Sequence, residues 1–288
     1  MSNRLRPCPL CDSAALRVDY QHAIEYEKEV YRYRRCGKCG TVFVDPLPDD
    51  NAISRMYGKA SYHDSHYVDV DFRPYRRAAA FLSSFARPGC TVLDYGCGVG
   101  YFLKAVQDAG FIPCGVEYNR EASLVASELI GKPVFTVEEL NQRQSFDMYD
   151  VLHLGDVLEH LPYPALTLGR LLKLVKRGGL LFVEGPLENN PSLVYWCSRI
   201  FGELKNRIRP AYIGPGIPLH LFQTSSRAQA SFFSDRFPSL RLLDWKVYET
   251  GWPYVEGSGL KRLIGNLAMQ IGSIEISGYS IGNRFRAM

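Results

Sequence analysis

Residues 92–100 read Val-Leu-Asp-Tyr-Gly-Cys-Gly-Val-Gly, an apolar run that breaks into three alternating glycines. The run from Thr91 has strand character, and the stretch Tyr101–Ala109 after it has helix character. A strand, a glycine-rich loop and a helix make the ligand-binding unit of an open α/β sheet. The chain continues the alternation. Strands are expected at 91–95, 112–117, 133–136, 150–154 and 179–184. Helices are expected at 100–109, 120–129, 138–141 and 163–175, with Gly110 and Gly178-Gly179 closing two of them. This order predicts a parallel, doubly wound, Rossmann-like sheet. A later helix at 224–236 and strands near 240–249 and 273–286 predict a C-terminal antiparallel hairpin, turned at Gly282-Asn283.

Asp94 constrains what the loop can hold. A dinucleotide site puts a pyrophosphate at the helix N-terminus, where amides and the helix dipole favour negative charge. A carboxylate at the strand tip repels that phosphate, and the spacing here is G-x-G-x-G rather than G-x-G-x-x-G. An acid suits a cofactor that lacks phosphate and carries positive groups, such as a sulfonium and an α-amine. S-adenosylmethionine meets that description. The second expected strand ends at Glu117, 23 residues after Asp94, where a carboxylate can accept from two vicinal ribose hydroxyls. Thr136-Val-Glu-Glu139 ends the third strand and offers an acid for the adenine amino group. Leu154-Gly155-Asp156 ends the fourth, beneath the methionine part of the ligand. The candidate cofactor set is Asp94, Gly96, Cys97, Gly98, Gly100, Glu117, Tyr118, Val137, Glu138, Gly155 and Asp156.

Four of the eight cysteines pair as Cys8-Pro-Leu-Cys11 and Cys36-Gly-Lys-Cys39, with 24 residues between the pairs. Four thiolates on two knuckles make a closed tetrahedral set, which suits structural zinc and leaves no open position for catalysis. Residues 16–34 alternate loosely and predict a β-hairpin carrying the second knuckle. Cys90, Cys114 and Cys197 are scattered and read as small apolar core residues, as does Cys97 apart from its loop position.

The expected organisation is a zinc ribbon over 1–45, a Tyr-rich connector with helices over 46–88, and a large domain over 89–288 with an acceptor-side insertion at about 187–223. In the connector, Asp49 or Asp50 can cap a short helix to Tyr57, and Arg76–Phe85 reads as a second helix. Tyr57, Tyr62, Tyr67 and Tyr75, with His63 and His66, are candidates for an aromatic lid. A net charge of +4 requires neither a nucleic-acid nor a membrane partner. No apolar run is long enough for a transmembrane helix, and the N-terminus lacks a signal-peptide stretch, so a cytoplasmic location is expected.

The stretch from Thr91 to Val183 resembles a class I S-adenosylmethionine-dependent methyltransferase. The matching pieces are Val92–Gly100, Gly115-Val-Glu117, Tyr149–His160 and Lys176–Val183. The Asp156-Val-Leu-Glu-His-Leu161 run is similar to the subgroup that includes ubiquinone-biosynthesis O-methyltransferases and many sugar methyltransferases. The whole layout resembles bacterial methyltransferases of sugar and cell-surface polysaccharide clusters, which join an N-terminal zinc ribbon, a Val-Asp-Pro-x-Pro connector and a Tyr-rich segment. The resemblance implies that Asp94, the glycines and Glu117 bind the cofactor. The family more often has Asp at the adenine position, where this chain has Glu138.

Methyl transfer from a sulfonium is an in-line displacement, and a hydroxyl acceptor benefits from a base near neutral pKa. His160, with Glu159 beside it, and His220 are the candidates. His153 falls inside an expected strand and reads as a core residue. Residues 193–208 place Leu193, Trp196, Cys197, Ile200, Phe201, Leu204 and Ile208 on one helical face, which can cover an acceptor pocket or touch a membrane bearing a lipid-linked acceptor. The leading reading is a methyltransferase acting on a hydroxyl of a sugar or glycan precursor. A zinc-ribbon ribosomal-RNA methyltransferase is the alternative, although residues 1–48 hold only eight Lys/Arg against six Asp/Glu. A binding module that kept the fold is the third.

Overall fold

The computed structural model describes residues 6–14, 16–57, 71–142, 146–208, 213–217, 220–272, 275–276 and 279–288. Tyr62, Tyr67, His63 and His66 lie outside the described residues. The chain divides into two units. One comprises 1–48, 158–165 and 184–287; the other comprises 49–157, 166–183 and Met288.

In chain order the first unit begins with β1 (Leu16–Tyr26), β2 (Glu29–Cys36) and β3 (Val42–Asp45). Residues 16–34 thus form the expected hairpin, with Ile24 opposite Tyr31. Along β2, Tyr31 and Tyr33 point inward while Arg32 is exposed, the period-two pattern of a half-buried strand.

The second unit holds α1 (Asp50–Tyr57), α2 (Arg73–Leu82), β4 (Thr91–Tyr95), α3 (Tyr101–Asp108), β5 (Ile112–Glu117), α4 (Arg120–Ile130), β6 (Val134–Thr136), α5 (Val137–Gln142) and β7 (Tyr149–Gly155), and α6 (Pro164–Leu172) from Leu166 onward. β8 (Val175–Pro186) straddles the division. β4 pairs in parallel with both β5 and β7, and β5 in parallel with β6. Leu82, Val92, Phe102, Val106, Val151 and Phe182 form the core here, each contributing about 1.5–3 kcal/mol through burial.

The remaining elements belong to the first unit: α7 (Leu193–Ile208), β9 (Gly214–Pro215), β10 (Phe222–Gln223), α8 (Ser226–Arg236), β11 (Trp245–Tyr248), α9 (Leu260–Ile271), β12 (Glu275–Ile276), β13 (Tyr279–Ser280) and β14 (Arg284–Ala287). β9 and β10 complete the N-terminal sheet, ordered β10-β3-β2-β1-β9. The larger sheet runs β11-β14-β8-β7-β4-β5-β6, with β11 and β14 antiparallel. The expected Rossmann-like fold with a C-terminal antiparallel pair is therefore present.

Three boundaries differ from expectation. The helix expected at 76–85 starts at Arg73. Pro74 is tolerated in a first turn that needs no N–H, and the Asp71 carboxylate takes the Arg73 amide at 3.0 Å. The helix expected at 163–175 stops at Leu172, and Gly178-Gly179 lie within β8 rather than at a helix end. Gly178 has φ +78°, and a Cβ on Gly179 would stand 2.8 Å from the Asp150 carbonyl oxygen. Glycine serves a close backbone approach there.

The third difference is the last hairpin. Gly282-Asn283 do not join β11 to β14, because the segment 249–283 intervenes and contains α9. Asn283 instead clamps the base of that segment. Its Oδ1 accepts from the Thr250 amide and hydroxyl at 3.0 and 3.1 Å, and its Nδ2 donates to the Trp252 carbonyl at 3.1 Å.

Candidate functional site

In the second unit the loop after β4 takes its shape from left-handed backbone. Gly96, Gly98 and Gly100 have φ of +80°, +54° and +89°. A Cβ would stand 2.5 Å from Val157 at Gly96 and 2.9 Å from Ala126 at Gly100, so both conformation and space demand glycine. Gly100 is the N-cap of α3, leaving the first amides of that helix at the loop.

Both strand-end acids are buried. The Glu117 carboxylate accepts from the Gly98 amide at 2.8 Å and from the Asn119 amide at 2.9 Å. It thereby ties the glycine loop to the start of α4, where Asn119 caps the Ala122 amide. Asp94 Oδ1 lies 2.7 Å from His153 Nδ1, and both side chains are 4% exposed. The His153 ring stacks on Phe102, with centroids 3.8 Å apart. His153 is the core residue expected, and its partner is the acid singled out for the cofactor. A buried carboxylate needs such a partner to offset its lost hydration.

The other positions divide. Tyr118 donates to Ser54 Oγ at 3.0 Å and meets Tyr57 edge-on. Cys97 is buried, and its thiol pKa is raised by burial and then by the charges of Asp94 and Glu117. The two acids after β6 have different roles. Glu139 forms a capping box with Thr136, accepting the Thr136 amide at 2.8 Å while its own amide donates to Thr136 Oγ1 at 3.2 Å. Glu138 is exposed and carries no such duty. Val137 opens α5, and Tyr95, pushed up to about 12 by burial, also feels Glu117 and Glu138. Gly155 leaves room for the His153 ring, which would stand 2.8 Å from an added Cβ. Asp156 is exposed, with φ +55°.

In the first unit the four N-terminal cysteines converge. Their sulfurs all lie within 4.8 Å of one another, with Cys8–Cys39 and Cys11–Cys36 both at 3.6 Å. Sulfurs about 2.3 Å from one tetrahedral zinc stand about 3.8 Å apart, so the set fits that ion. The Lys38 amide points at Cys36 Sγ at 3.4 Å, and Cys39 is pulled down to about 4, chiefly by its hydrogen bond with Cys8. Knuckle amides aimed at sulfur stabilise thiolate charge.

A second cluster gathers residues far apart in sequence. Glu159 and His160 lie in a short 3₁₀ turn, Leu158–His160. The His160 and His220 rings meet edge-on with centroids 4.8 Å apart. His160 Nε2 is 3.9 Å from Glu159 Oε1. Sequence reasoning nominated these three residues but gave no reason for them to meet. It missed Glu188, whose Oε2 lies 2.9 Å from His220 Nδ1. Glu188 sits just beyond β8, and its position directly after a strand end was the one signal that could have found it.

The N-terminal sheet holds this cluster in place. Tyr33 donates to the His220 carbonyl at 3.2 Å, and β10 pairs with β3 through Phe222 and Phe43. The Val44 amide donates to Leu221 O, and the Leu221 amide donates to Glu159 O at 2.8 Å. Arg6 Nη2 reaches the Pro162 carbonyl at 2.6 Å.

α7 forms over the expected range, yet Trp196, Ile200, Phe201, Leu204 and Ile208 are exposed. Its buried contact is through Val194, which packs with Tyr254 and Ala268. No helix among the described residues is long and apolar enough to cross a membrane.

A family model described as a methyltransferase domain matches residues 65–211. Over 110 residues the chain is 33% identical to a ubiquinone biosynthesis O-methyltransferase of Aeromonas salmonicida, covering 36% of this chain and 45% of that protein. Over 130 residues it is 29% identical to the mitochondrial enzyme of that name from Candida albicans, covering 42% of this chain and 39% of the other. The chain thus spans less than half the length of these relatives. Among solved structures, magnesium protoporphyrin IX methyltransferase from Synechocystis, with bound S-adenosylhomocysteine, aligns with TM-score 0.53 at 15% identity, over 83% of this chain and 98% of that one. The [4+2]-cyclase SpnF aligns with TM-score 0.52 at 14% identity, over 84% and 96%. These structural likenesses establish the fold. The cyclase shows that the fold hosts more than one chemistry.

Proposed function

The chain belongs to the methyltransferase-domain family, and from that premise we propose that it transfers a methyl group from S-adenosylmethionine to a hydroxyl acceptor. The observation that carries this reading is the buried pair of strand-end acids flanking a loop that only glycine can form. Glu117 already accepts two amides and keeps lone pairs for ribose hydroxyls, since each carboxylate oxygen accepts twice. Asp94 supplies negative charge under the sulfonium and amine. Gly96, Cys97, Gly98 and Gly100 bring backbone to the ligand, and Tyr118, Val137, Gly155 and Asp156 line its other parts. Glu138, rather than the capping Glu139, is the acid available to adenine.

His160, His220 and Glu159 activate the acceptor hydroxyl in this reading. The chain passes from Asp156 into the Leu158–His160 turn, so donor-side and acceptor-side residues are close in sequence. An oxygen acceptor accords with the O-methyltransferase names of the relatives. A sugar or glycan acceptor rests on the ribbon-plus-connector layout. The four cysteines hold structural zinc, which requires reduced thiols and hence a reducing, cytoplasmic setting. The exposed apolar row of α7 supports peripheral contact with a membrane carrying a lipid-linked acceptor.

The test is transfer of radiolabelled methyl from S-adenosylmethionine to a panel of sugar nucleotides, lipid-linked sugars and hydroxylated quinone precursors. Saturable label on a sugar class supports the full reading. Label on quinone precursors alone retains the transferase and removes the sugar. Calorimetry that detects no S-adenosylmethionine binding removes the transferase.

A further inference from the structure

We propose that Cys39 and Cys11 are sites of oxidative modification by small hydroperoxides, each closed into a disulfide by a buried cysteine of the opposite knuckle, and that this modification releases the His220 segment. The proposal rests on the reading of the four cysteines as a zinc set, and it adds how that set is opened.

The four sulfurs are not equivalent. Cys8 and Cys36 are buried, at 0% and 1% exposure, whereas Cys11 and Cys39 are half-buried. A cavity of about 280 Å³ is lined by Cys11 and Cys39 together with Lys38 and with Arg227, Ser231 and Phe232 of α8. All of these belong to the first unit. Arg236 holds α8 against the first knuckle, since its Nε donates to the Leu10 carbonyl at 3.0 Å and its Nη2 pairs with Asp12. Hydrogen peroxide is little larger than water, so the cavity admits it. Oxidation-prone thiolates sit in partly exposed, electropositive surroundings, and Lys38 and Arg227 supply the positive charge.

The pairing follows from the distances. Cys39 Sγ lies 3.6 Å from Cys8 Sγ, and Cys11 Sγ lies 3.6 Å from Cys36 Sγ. Each pair joins an accessible sulfur of one knuckle to a buried sulfur of the other. Disulfide sulfurs stand about 2.0 Å apart, so each pair closes by about 1.6 Å. The accessible thiolate attacks one peroxide oxygen. A sulfur–oxygen bond forms, the oxygen–oxygen bond breaks, and hydroxide leaves. The resulting sulfenic acid has lost two electrons to the peroxide. The buried thiolate then attacks that sulfur, the sulfur–sulfur bond forms, and the sulfur–oxygen bond breaks to release a second hydroxide. Solvent protons convert both hydroxides to water. One peroxide oxidises one pair, and two leave no thiolate to hold zinc.

The second knuckle holds more than an ion. Asn189 Nδ2 donates to the carbonyl of Gly40, the residue after Cys39, at 2.8 Å, and Asn189 Oδ1 accepts from Arg35 Nη2 at 3.3 Å. Asn189 follows Glu188, whose carboxylate lies 2.9 Å from His220 Nδ1. The knuckle also leads into β3, where the Val44 amide donates to the carbonyl of Leu221, next to His220. Opening the knuckle therefore loosens Glu188 and His220 together.

The full-length protein, as purified, is treated with hydrogen peroxide. Zinc release is followed with a chromogenic chelator, and disulfides are mapped by mass spectrometry of peptides. Release of about one zinc equivalent is expected, with Cys8–Cys39 and Cys11–Cys36 bonds, and dithiothreitol with added zinc should reverse both. Hydrogen exchange should rise at 40–44, 187–190 and 220–222 and stay unchanged in the loop after β4. Ser231→Trp narrows the cavity without touching a sulfur, and should slow release at least about 10-fold at unchanged zinc content. Four free thiols after treatment, or bonds confined to Cys8–Cys11 and Cys36–Cys39, overturn the proposal. Unaltered exchange at 187–190 and 220–222, or equal release from a folded Ser231→Trp, does the same. Circular dichroism checks that variant, and if it fails to fold the wild-type disulfide map decides alone. Metal analysis before oxidation keeps the two readings apart. Cross-knuckle bonds in a zinc-free protein remove the zinc and leave the modification. Inert thiols in a zinc-loaded protein remove the modification and leave the zinc.

Discussion

The glycine-rich loop after β4 and the histidine cluster are built in opposite ways. The loop lies within nine contiguous residues, and its acids sit at the ends of neighbouring parallel strands. Local backbone geometry sets its shape, and Gly96 and Gly100 admit no other residue without strain. The cluster draws on the turn at 158–160, on Glu188 and on His220, and it is braced by Tyr33 and Val44 from the sheet of β1–β3 that β9 and β10 complete. A local motif tolerates change elsewhere in the chain. A site assembled from distant segments depends on whatever holds those segments together.

That contrast orders the expected effects of mutation. Cys36→Ser should act most strongly, because structural zinc contributes on the order of 10 kcal/mol to folding. We expect loss of the zinc equivalent proposed for the four cysteines and collapse of the His220 environment, read by metal analysis and hydrogen exchange. A variant that keeps a full zinc equivalent would contradict the four-cysteine set. Asp94→Ala follows. It leaves His153 buried without its hydrogen-bond partner, at about 1–3 kcal/mol, and S-adenosylmethionine affinity should fall by at least about 100-fold in calorimetry. Unchanged affinity would remove Asp94 from the cofactor site and weaken the contrast itself.

His220→Ala should lower kcat by about 10²–10⁴ while leaving cofactor affinity within about twofold. A parallel loss of cofactor binding would show that the two regions are not separable. Tyr33→Phe tests the brace. Losing the hydrogen bond to the His220 carbonyl should cost about 0.5–1.5 kcal/mol and lower kcat with the cofactor Kd unmoved.

The smallest effect concerns Asp150, which is held down to about 2 by Lys176 Nζ at 2.8 Å and then by Thr91. Its folded pKa lies below the unfolded value. The stability it contributes is therefore present above about pH 4 and is lost as pH falls toward 2. Because the pair is solvent-screened, that stability is below about 1 kcal/mol. Acid titrations of wild type and Asp150→Asn should converge at the low end of that window. Curves that stay parallel would deny the pair its role.

Much of the fold could be read from residues alone, for reasons specific to each element. The parallel strands are short apolar runs closed by glycine or acid, and β4, β5 and β7 fall within a residue of their expected ranges. α7 matches its expected range because its apolar period is unbroken from Leu193 to Ile208. The same periodicity left open what covers that face. An apolar stripe says that a face seeks cover, not that this chain supplies it, and Trp196 and Ile208 remain exposed. Gly178-Gly179 looked like a helix end because glycine marks both a C-cap and a close approach between strands. α9 was missed because the Gly282-Asn283 pair offered a simpler turn. Only the structure shows Asn283 bonding back to Thr250 and Trp252.

The sequence by itself determined the glycine-rich loop and its two strand-end acids. Backbone sterics confine the positive-φ positions to glycine, and charge chemistry selects among cofactors, so nine residues and one distant acid suffice. Tertiary structure alone decided the histidine cluster. His160 and His220 are adjacent only because β10 pairs with β3 and the Leu221 amide reaches back to Glu159. Strand pairing between distant segments is set by the register of a whole sheet, and no local pattern in the chain encodes it.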